Sequence, residues 1–537
     1  MDFRNFTIDN NIIKGSERVF ETENANLGKL FLNTLKSKPD FIGQIDGITG
    51  KKITYGEMAE KSVRCGIWLK KHGLCFNDIV FNCSHNRTDS YIPILATFYN
   101  GATIAFGYKG IQYQMTKYLF SLLKPKFIFT ENEEEVKLFV NIANEENLNV
   151  KIITFTKILG YYYLDDILNE MNSNEVIKFT SLPPLNSNDD CILPLTSGTT
   201  GDSKILSHSY ESIMKGLLIH NSNKEDKKND KISLVYFPLY WLIALRVMLV
   251  DILNFTTRII VNETSYDLHE AFQLIQKYKV TNVRFSLGMI YRIFKWNEIE
   301  TYDTSSIKTI TFNGVKLPLE IINFLMKIAK NGVVEQTYGA TEMTIPMCRG
   351  IMNKINLNSC GYLYPNMSMK IIDIKSGEIL GPNKSGEICF KSQYLMKGYY
   401  KNPTATKNAI DSEGWYHTGD LGYFEESGLV FVLGRVKNST ILPNGKIIPL
   451  WQIERTLLLN SEVIDAVVLS SNENFDSLKF YAFVVLLSNS KITEKELSAI
   501  ANDFTDIEFP IIVKIMDTLP LTSSGKVKLN KLRNRIV

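Results

Sequence analysis

Leu195-Thr196-Ser197-Gly198-Thr199-Thr200-Gly201-Asp202-Ser203-Lys204 is the stretch whose residue types point most directly to chemistry. Its two glycines, the hydroxyl side chains around them and the closing lysine describe a turn built to hold a polyanion. Glycine takes the dihedrals of a tight loop and lets a ligand approach the backbone closely. Successive backbone N–H groups and hydroxyls then donate, and the lysine adds a point charge. The spacing differs from that of an NTPase P-loop, which needs a four-residue gap before Gly-Lys-Ser/Thr. Cys191-Ile192-Leu193, just ahead, reads as a short strand.

Four further stretches carry chemistry-bearing residues. In Gln336-Thr337-Tyr338-Gly339-Ala340-Thr341-Glu342 a glycine beside an aromatic ring permits contact with a flat ligand. Glu342 there suits Mg²⁺ on phosphate oxygens, because hard cations take carboxylates. Trp415-Tyr416-His417-Thr418-Gly419-Asp420 places Asp420 at a glycine turn, where a carboxylate can meet a pair of sugar hydroxyls. Gly434-Arg435-Val436-Lys437 offers a phosphate- or ribose-directed cation. Leu519-Pro520-Leu521-Thr522-Ser523-Ser524-Gly525-Lys526 presents a lysine on a glycine-containing tip.

The elements that must position these residues follow an α/β rhythm. Tyr55 to Lys70 and Tyr91 to Tyr99 read as helices, and the runs around Ile79, Ile104, Phe127 and Ile152 as strands. That alternation is the mark of a largely parallel sheet. It continues past the glycine loop, with strands at Ile232 to Phe237 and Thr281 to Leu287 and helices at Tyr266 to Tyr278 and Leu319 to Lys330. From about residue 345 strands dominate. After Gly434 a smaller α+β pattern begins, with a helix at about 450–459, strands at Val463 to Leu469 and Phe480 to Leu487, and a capping box from Thr493 to Glu496. The expected architecture is α/β, with a large multi-subdomain unit over 1–433, rich in parallel sheet and ending in a strand-rich part, and a small α+β unit over 434–537.

Composition narrows the classes. A chain of 537 residues exceeds one hydrophobic core, and 45% apolar with 22% charged residues fits a globular protein. Six His and a net charge of +3 give neither an evident metal cluster nor a nucleic-acid footprint. Seven cysteines, scattered and odd in number, read as reduced thiols of an intracellular chain. The apolar run from Leu239 to Leu253 is broken by Arg246 and is too short to span a bilayer. The last residues, Arg535-Ile536-Val537, differ from a peroxisomal Ser-Lys-Leu address, which favours a cytoplasmic setting.

In this order and spacing the stretches resemble the adenylate-forming superfamily, which comprises acyl- and aryl-CoA synthetases, coumarate-CoA-ligase-like enzymes and insect luciferases. The resemblance runs from Tyr55 to Leu532, with smaller echoes at Gly386-Glu387-Ile388 and Met396-Lys397-Gly398-Tyr399-Tyr400. It implies a two-step reaction: a carboxylate attacks the α-phosphorus of Mg·ATP, and a thiol, usually that of coenzyme A, then takes the acyl group. In luciferases oxygen attacks the activated luciferin instead. By this likeness Thr196, Ser197, Gly198, Thr199, Thr200, Gly201 and Lys204 grip the β- and γ-phosphates. Tyr338, Gly339 and Gly314 serve adenine, Thr341 and Glu342 the phosphate and Mg²⁺, and Asp420 with Arg435 the ribose. Lys526 bridges the α-phosphate and the carboxylate. The acid pocket falls to Tyr240, Trp241, Val315 and Ala340, in apolar surroundings that suit a medium-chain fatty or aromatic acid.

The pattern is also broken in places. Asp202 adds a negative charge beside the phosphate loop, which is apparently two residues short of the family form. Trp241 replaces a histidine common in the family, Phe312-Asn313-Gly314-Val315-Lys316 stands for a Gly-Gly-Ala-Pro segment, and Gly434 replaces a hinge aspartate. Ile441 or Leu442 occupies the position of a lysine associated with the second half-reaction. A catalytically weakened relative acting as a binding or regulatory protein is the competing expectation.

Overall fold

The computed structural model describes residues 4–196, 203–220, 231–261, 267–313, 317–352, 359–441, 447–471, 478–487, 489–503, 509–520 and 527–536. Three large sheets form the greater part of the chain. A nine-stranded sheet has the spatial order Tyr362–Leu363, Cys348–Ile351, Val333–Tyr338, Thr309–Asn313, Asn282–Phe285, Ile232–Val235, Thr257–Ile260, Ile42–Asp46 and Lys52–Thr54. Its six inner strands, from Val333–Tyr338 to Ile42–Asp46, are parallel, so their C-terminal ends and the turns that follow lie along one edge. Ligands of open α/β sheets bind at that edge, where helix-leading loops converge.

An eight-stranded sheet carries the flanks of the glycine loop. Asp190–Leu193 runs parallel to Thr103–Phe106, and Leu206–Ser209 returns antiparallel to it. Gly398–Tyr399 adds to the outer edge by pairing with Leu206 and Ser207. The third sheet, of seven strands, is antiparallel and includes Gly386–Ser392, Tyr416–Phe424 and Val430–Arg435.

Local chemistry sets several boundaries. Thr54 and Glu57 close a reciprocal capping box, which starts the Tyr55–Lys71 helix. That helix packs its Met58, Val63, Cys65 and Trp68 side into the same core as the wholly buried Tyr91–Tyr99 helix. The strand expected from Thr281 to Leu287 ends at Phe285, because the Ser286 hydroxyl accepts the Met289 N–H at 3.2 Å and starts the Leu287–Phe294 helix. The strand expected to Phe237 likewise stops at Val235, ahead of Pro238.

The C-terminal segment folds around its own core. Val463–Ser470 and Phe480–Leu486 are antiparallel, and Ile511–Met516 joins parallel to the latter. Ile453, Leu457, Leu497 and Ala501 of two helices cover this sheet, with Leu532 on its other side. Thr493 and Glu496 form the expected capping box, with Glu496 N–H on Thr493 Oγ1 at 3.2 Å and Thr493 N–H on Glu496 Oε2 at 2.8 Å. Six of the seven cysteines are buried, Cys75 is exposed, and all are free. Among the described residues no helix is long and apolar enough to cross a membrane.

Candidate active site

The described residues on either side of the glycine stretch pair with each other. Ile192 pairs with His208, Leu195 bridges Ile205, and Thr196 N–H donates to Lys204 C=O at 2.8 Å, which closes the base. Lys204 N–H donates in turn to Thr196 Oγ1 at 3.2 Å. Ser197, Gly198, Thr199, Thr200, Gly201 and Asp202 lie outside the described residues, as do Gly314, Val315, Lys316, Leu442 and Lys526.

Lys204 reaches toward the neighbouring strand. Its ammonium sits 4.7 Å from the centre of the Tyr399 ring, a cation–π contact. The Tyr399 hydroxyl donates to Glu342 Oε1 at 2.8 Å, and the Met396 N–H holds the Glu342 carbonyl at 2.8 Å. Burial and the Glu342 carboxylate keep the Tyr399 hydroxyl protonated by pushing its pKa up. The phosphate-loop lysine and the carboxylate suited to Mg²⁺ are therefore connected through one phenol.

A second group forms where the nine-stranded and seven-stranded sheets meet. The Tyr338 hydroxyl donates to Asp420 Oδ2 at 2.6 Å, and Arg435 Nε donates to Asp420 Oδ1 at 2.9 Å. Asp420 and Arg435 are register partners on adjacent strands, and Arg435 Nη1 also donates to Thr418 C=O at 2.8 Å. Burial pushes the Asp420 carboxyl up, and Arg435 and the Tyr338 hydroxyl pull it back. Each carboxylate oxygen has a second lone pair, so Asp420 can still accept from a pair of hydroxyls. The glycine turn expected ahead of Asp420 is instead a bulge within the Tyr416–Phe424 strand, where Gly419 takes a φ of +66°. Glu387 secures that bulge, accepting the Gly419 N–H at 3.0 Å on Oε1, while its Oε2 lies 3.2 Å from His417 Nδ1. Glu387, Cys389 and His417 bring ligand-type atoms within 4.8 Å of one another, a grouping that their scattered sequence positions conceal.

Thr341 is fixed from below. His208 Nε2 lies 2.8 Å from the Thr341 carbonyl, which can only accept, so Nε2 carries the proton. Nδ1 is buried without a hydrogen-bond partner. Burial pushes the His208 pKa down to about 4. The unfolded chain takes up this proton below the ordinary value of 6.5, whereas the folded chain takes it up only near 4. Stability is thus lost as pH falls through that window, by about 3 kcal/mol. His208→Gln, which keeps a donor for Thr341, is expected to remove that part of the acid dependence. Urea unfolding of both proteins at neutral pH and near pH 4 checks it, and an unchanged difference would contradict the assignment.

Tyr240 and Trp241 form an aromatic cluster with Phe237 and Tyr108. Trp241 precedes the Leu242–Leu253 helix, its ring 5.7 Å from Phe237 and 6.2 Å from Tyr240, while Tyr240 also meets Tyr108 at 5.8 Å. Gly339 is exposed and Ala340 half-buried, beside the turn that carries Thr341 and Glu342. Asn313 is turned toward Thr337, whose hydroxyl donates to Asn313 Oδ1.

The family model described as AMP-binding enzyme matches residues 32–400. The chain belongs to the AMP-binding enzyme family. Among relatives of this AMP-binding enzyme, 4-coumarate–CoA ligase 3 of Oryza sativa subsp. japonica is 27% identical over 509 residues, covering 92% of this chain and 89% of that one. The luciferase-like enzyme from the nonluminescent mealworm Zophobas morio is similar in structure, with a TM-score of 0.72 and 26% identity over 79% of this chain and 99% of that one. ATP-bound MatB from Rhodopseudomonas palustris shares the fold at a TM-score of 0.81 and 20% identity, over 95% and 98% of the two chains. Within this AMP-binding enzyme, Tyr399, Thr418, Glu387 and His208 contact the candidate site or its flanks, contacts that sequence reasoning passed over. Tyr399 and Glu387 stood within the quoted family echoes, but nothing local marked their partners.

Proposed function

We propose that this chain activates a carboxylic acid with ATP and passes the acyl group to a thiol, that of coenzyme A. A carboxylate oxygen bonds to the α-phosphorus as the bond to the β-phosphate oxygen breaks, releasing pyrophosphate and leaving an acyl-adenylate. The thiol sulfur then bonds to the acyl carbon and AMP departs. What carries this reading is the convergence of two tethered groups, Lys204–Tyr399–Glu342 and Tyr338–Asp420–Arg435, on the strand ends of a chain in the AMP-binding enzyme family.

Each described group has a job. Asp420, held ionised by Arg435, receives the ribose hydroxyls. Tyr338 flanks adenine, and its hydroxyl stays anchored on Asp420. Lys204 and the hydroxyls of the glycine loop hold the outer phosphates. Glu342 is a hard oxygen donor whose Oε2 makes no hydrogen bond among the described residues, which fits Mg²⁺. When bound, that ion offsets charge on the phosphate oxygens. Lys526 offsets charge where the two anions meet. We assign residues 1–433 to the adenylating unit and 434–537 to a mobile unit that delivers Lys526. Gly434, the next-to-last residue of the last large-sheet strand, Val430–Arg435, supports the hinge, since its φ of +137° favours glycine and the separately cored C-terminal unit follows.

Carboxylate-dependent exchange of labelled pyrophosphate into ATP tests the first step. Exchange with at least one fatty, aromatic or substituted acid is expected, followed by a thioester mass once coenzyme A is added. Silence across a broad acid panel, together with no heat of ATP binding at millimolar nucleotide, would leave a non-catalytic binding protein as the better description.

A further inference from the structure

One face of the nine-stranded sheet is polar where a core is expected. Register partners share a face. Arg258 pairs with Ser233, Ser233 with Asn282, Arg284 with Thr311, Thr311 with Glu335, and Thr337 with Arg349. The alternate positions, Leu234, Val283, Phe285, Ile310, Phe312 and Val334, point into the apolar core on the other side. The Leu242–Leu253 helix adds Arg246 and Asp251, both only 8% exposed. Asp251 accepts from Ser233 Oγ at 2.7 Å and lies 3.8 Å from Arg258.

Charge in this layer does not balance. Arg258 has Asp251, and Arg349 is paired with Glu335. Arg246 and Arg284 have no carboxylate within ion-pair distance among the described residues. Arg246 Nη1 donates to His220 Nε2 at 3.0 Å, so it rests on a neutral ring, which itself packs edge-on to Tyr364. Arg284 Nη1 is buried with no hydrogen-bond partner. Arg246 is buried and Arg284 half-buried with its Nη1 buried, and cationic nitrogens so placed without an ion pair are costly, a cost that a ligand anion would offset. Arg284 lies level with Glu335, three residues down the strand from Tyr338, or roughly 10 Å at the usual strand rise. That span matches a short chain or a single ring.

We propose that the acid activated here carries a second carboxylate, received by Arg284 and Arg246 beneath the Leu242–Leu253 helix. The inference rests on the carboxylate-activating reading and names its substrate class: an apolar body with an anion at each end. One carboxylate reacts at the Tyr338–Glu342 edge while the other is neutralised in the arginine layer. Charge-assisted hydrogen bonds to a carboxylate are the strong ones and set specificity through their geometry.

Matched acids test this on the full-length protein: butyrate against succinate, caproate against adipate, benzoate against terephthalate. In pyrophosphate exchange the best dicarboxylate is expected to exceed its monocarboxylate about 100-fold in kcat/KM, from two such bonds. Arg284→Met should lower that ratio about tenfold, leaving the share that Arg246 supplies. Without ligand, the same variant should melt at or above the wild-type temperature, because it removes a cationic nitrogen buried without a hydrogen-bond partner. A monocarboxylate preference, or a melting temperature lowered as if an ion pair had been broken, would overturn the proposal. If no acid supports exchange, the adenylation reading fails. Thermal stabilisation by the dicarboxylates, lost in Arg284→Met, would then still establish the anion site, and its absence would dismiss it.

Discussion

Lys526→Ala is expected to lower carboxylate-dependent pyrophosphate exchange about 100- to 1,000-fold, the usual effect of removing one preorganised donor from a developing charge. The reaction brings a carboxylate against a phosphate that is already negative. At contact distance and an effective dielectric near 20, two unit charges repel by about 4 kcal/mol. A lysine delivered between them turns that repulsion into two attractions, and the benefit grows as charge gathers on the pentavalent phosphorus. The loss should appear in kcat more than in the KM for ATP, since Lys204 and Asp420 hold the nucleotide independently. Thiol transfer from a presynthesised acyl-adenylate should be nearly spared, because the proposed movement of the small unit takes this lysine away before that step. Exchange that survives the substitution within about fivefold would remove Lys526 from the first step.

Asp420→Ala should be the next most damaging change, raising the KM for ATP about 10- to 100-fold. It deletes the acceptor proposed for the ribose and releases two neighbours at once. The Tyr338 hydroxyl, 2.6 Å from Oδ2, is left buried without its acceptor, and Arg435 loses its counter-charge. Arg435 remains 42% exposed in its side chain and can rehydrate, so the stability cost is about 1–3 kcal/mol, below that of a fully buried pair. Asp420→Asn separates the two effects. Its amide oxygen can still accept from Tyr338, while its NH₂ faces the Arg435 donors. Nucleotide affinity should therefore fall nearly as far as in the alanine variant, with a smaller loss in urea unfolding. Equal ATP affinity in wild type and both variants would refute the ribose assignment.

The two variants probe different kinds of knowledge. Lys526 was singled out by its setting in Gly525-Lys526 near the chain end, a pattern readable in one short window. Asp420 was also singled out locally, but its partners could not be. Tyr338 lies 82 residues away and belongs to another sheet. The same holds for Glu342 and Tyr399, 57 residues apart, which meet because Gly398–Tyr399 adds to the outer edge beside Leu206 and Ser207. Sheet pairing over such separations depends on closing long loops, and short-range propensity carries little of that information.

Arg246 shows the limit most clearly. In the sequence it was an interruption of a greasy run, useful only for excluding a membrane span. In the fold it lies over a sheet face where Arg284, Glu335 and Arg349 share a side, a fact set by the registers of four strands. A one-residue slip in any of them would send those side chains into the apolar core.

The sequence by itself determined what nearest neighbours decide: the Tyr55–Lys71 and Tyr91–Tyr99 helices, the Thr493–Glu496 cap and the family. Periodicity, capping and turn chemistry act within a few residues, so they can be read in order. Only the tertiary structure decided which oxygen of Asp420 each partner takes, that Tyr399 stands between Lys204 and Glu342, and that Arg246 and Arg284 make no ion pair among the described residues. Those are matters of strand register and sheet contact, where charge balance is settled by residues far apart along the chain.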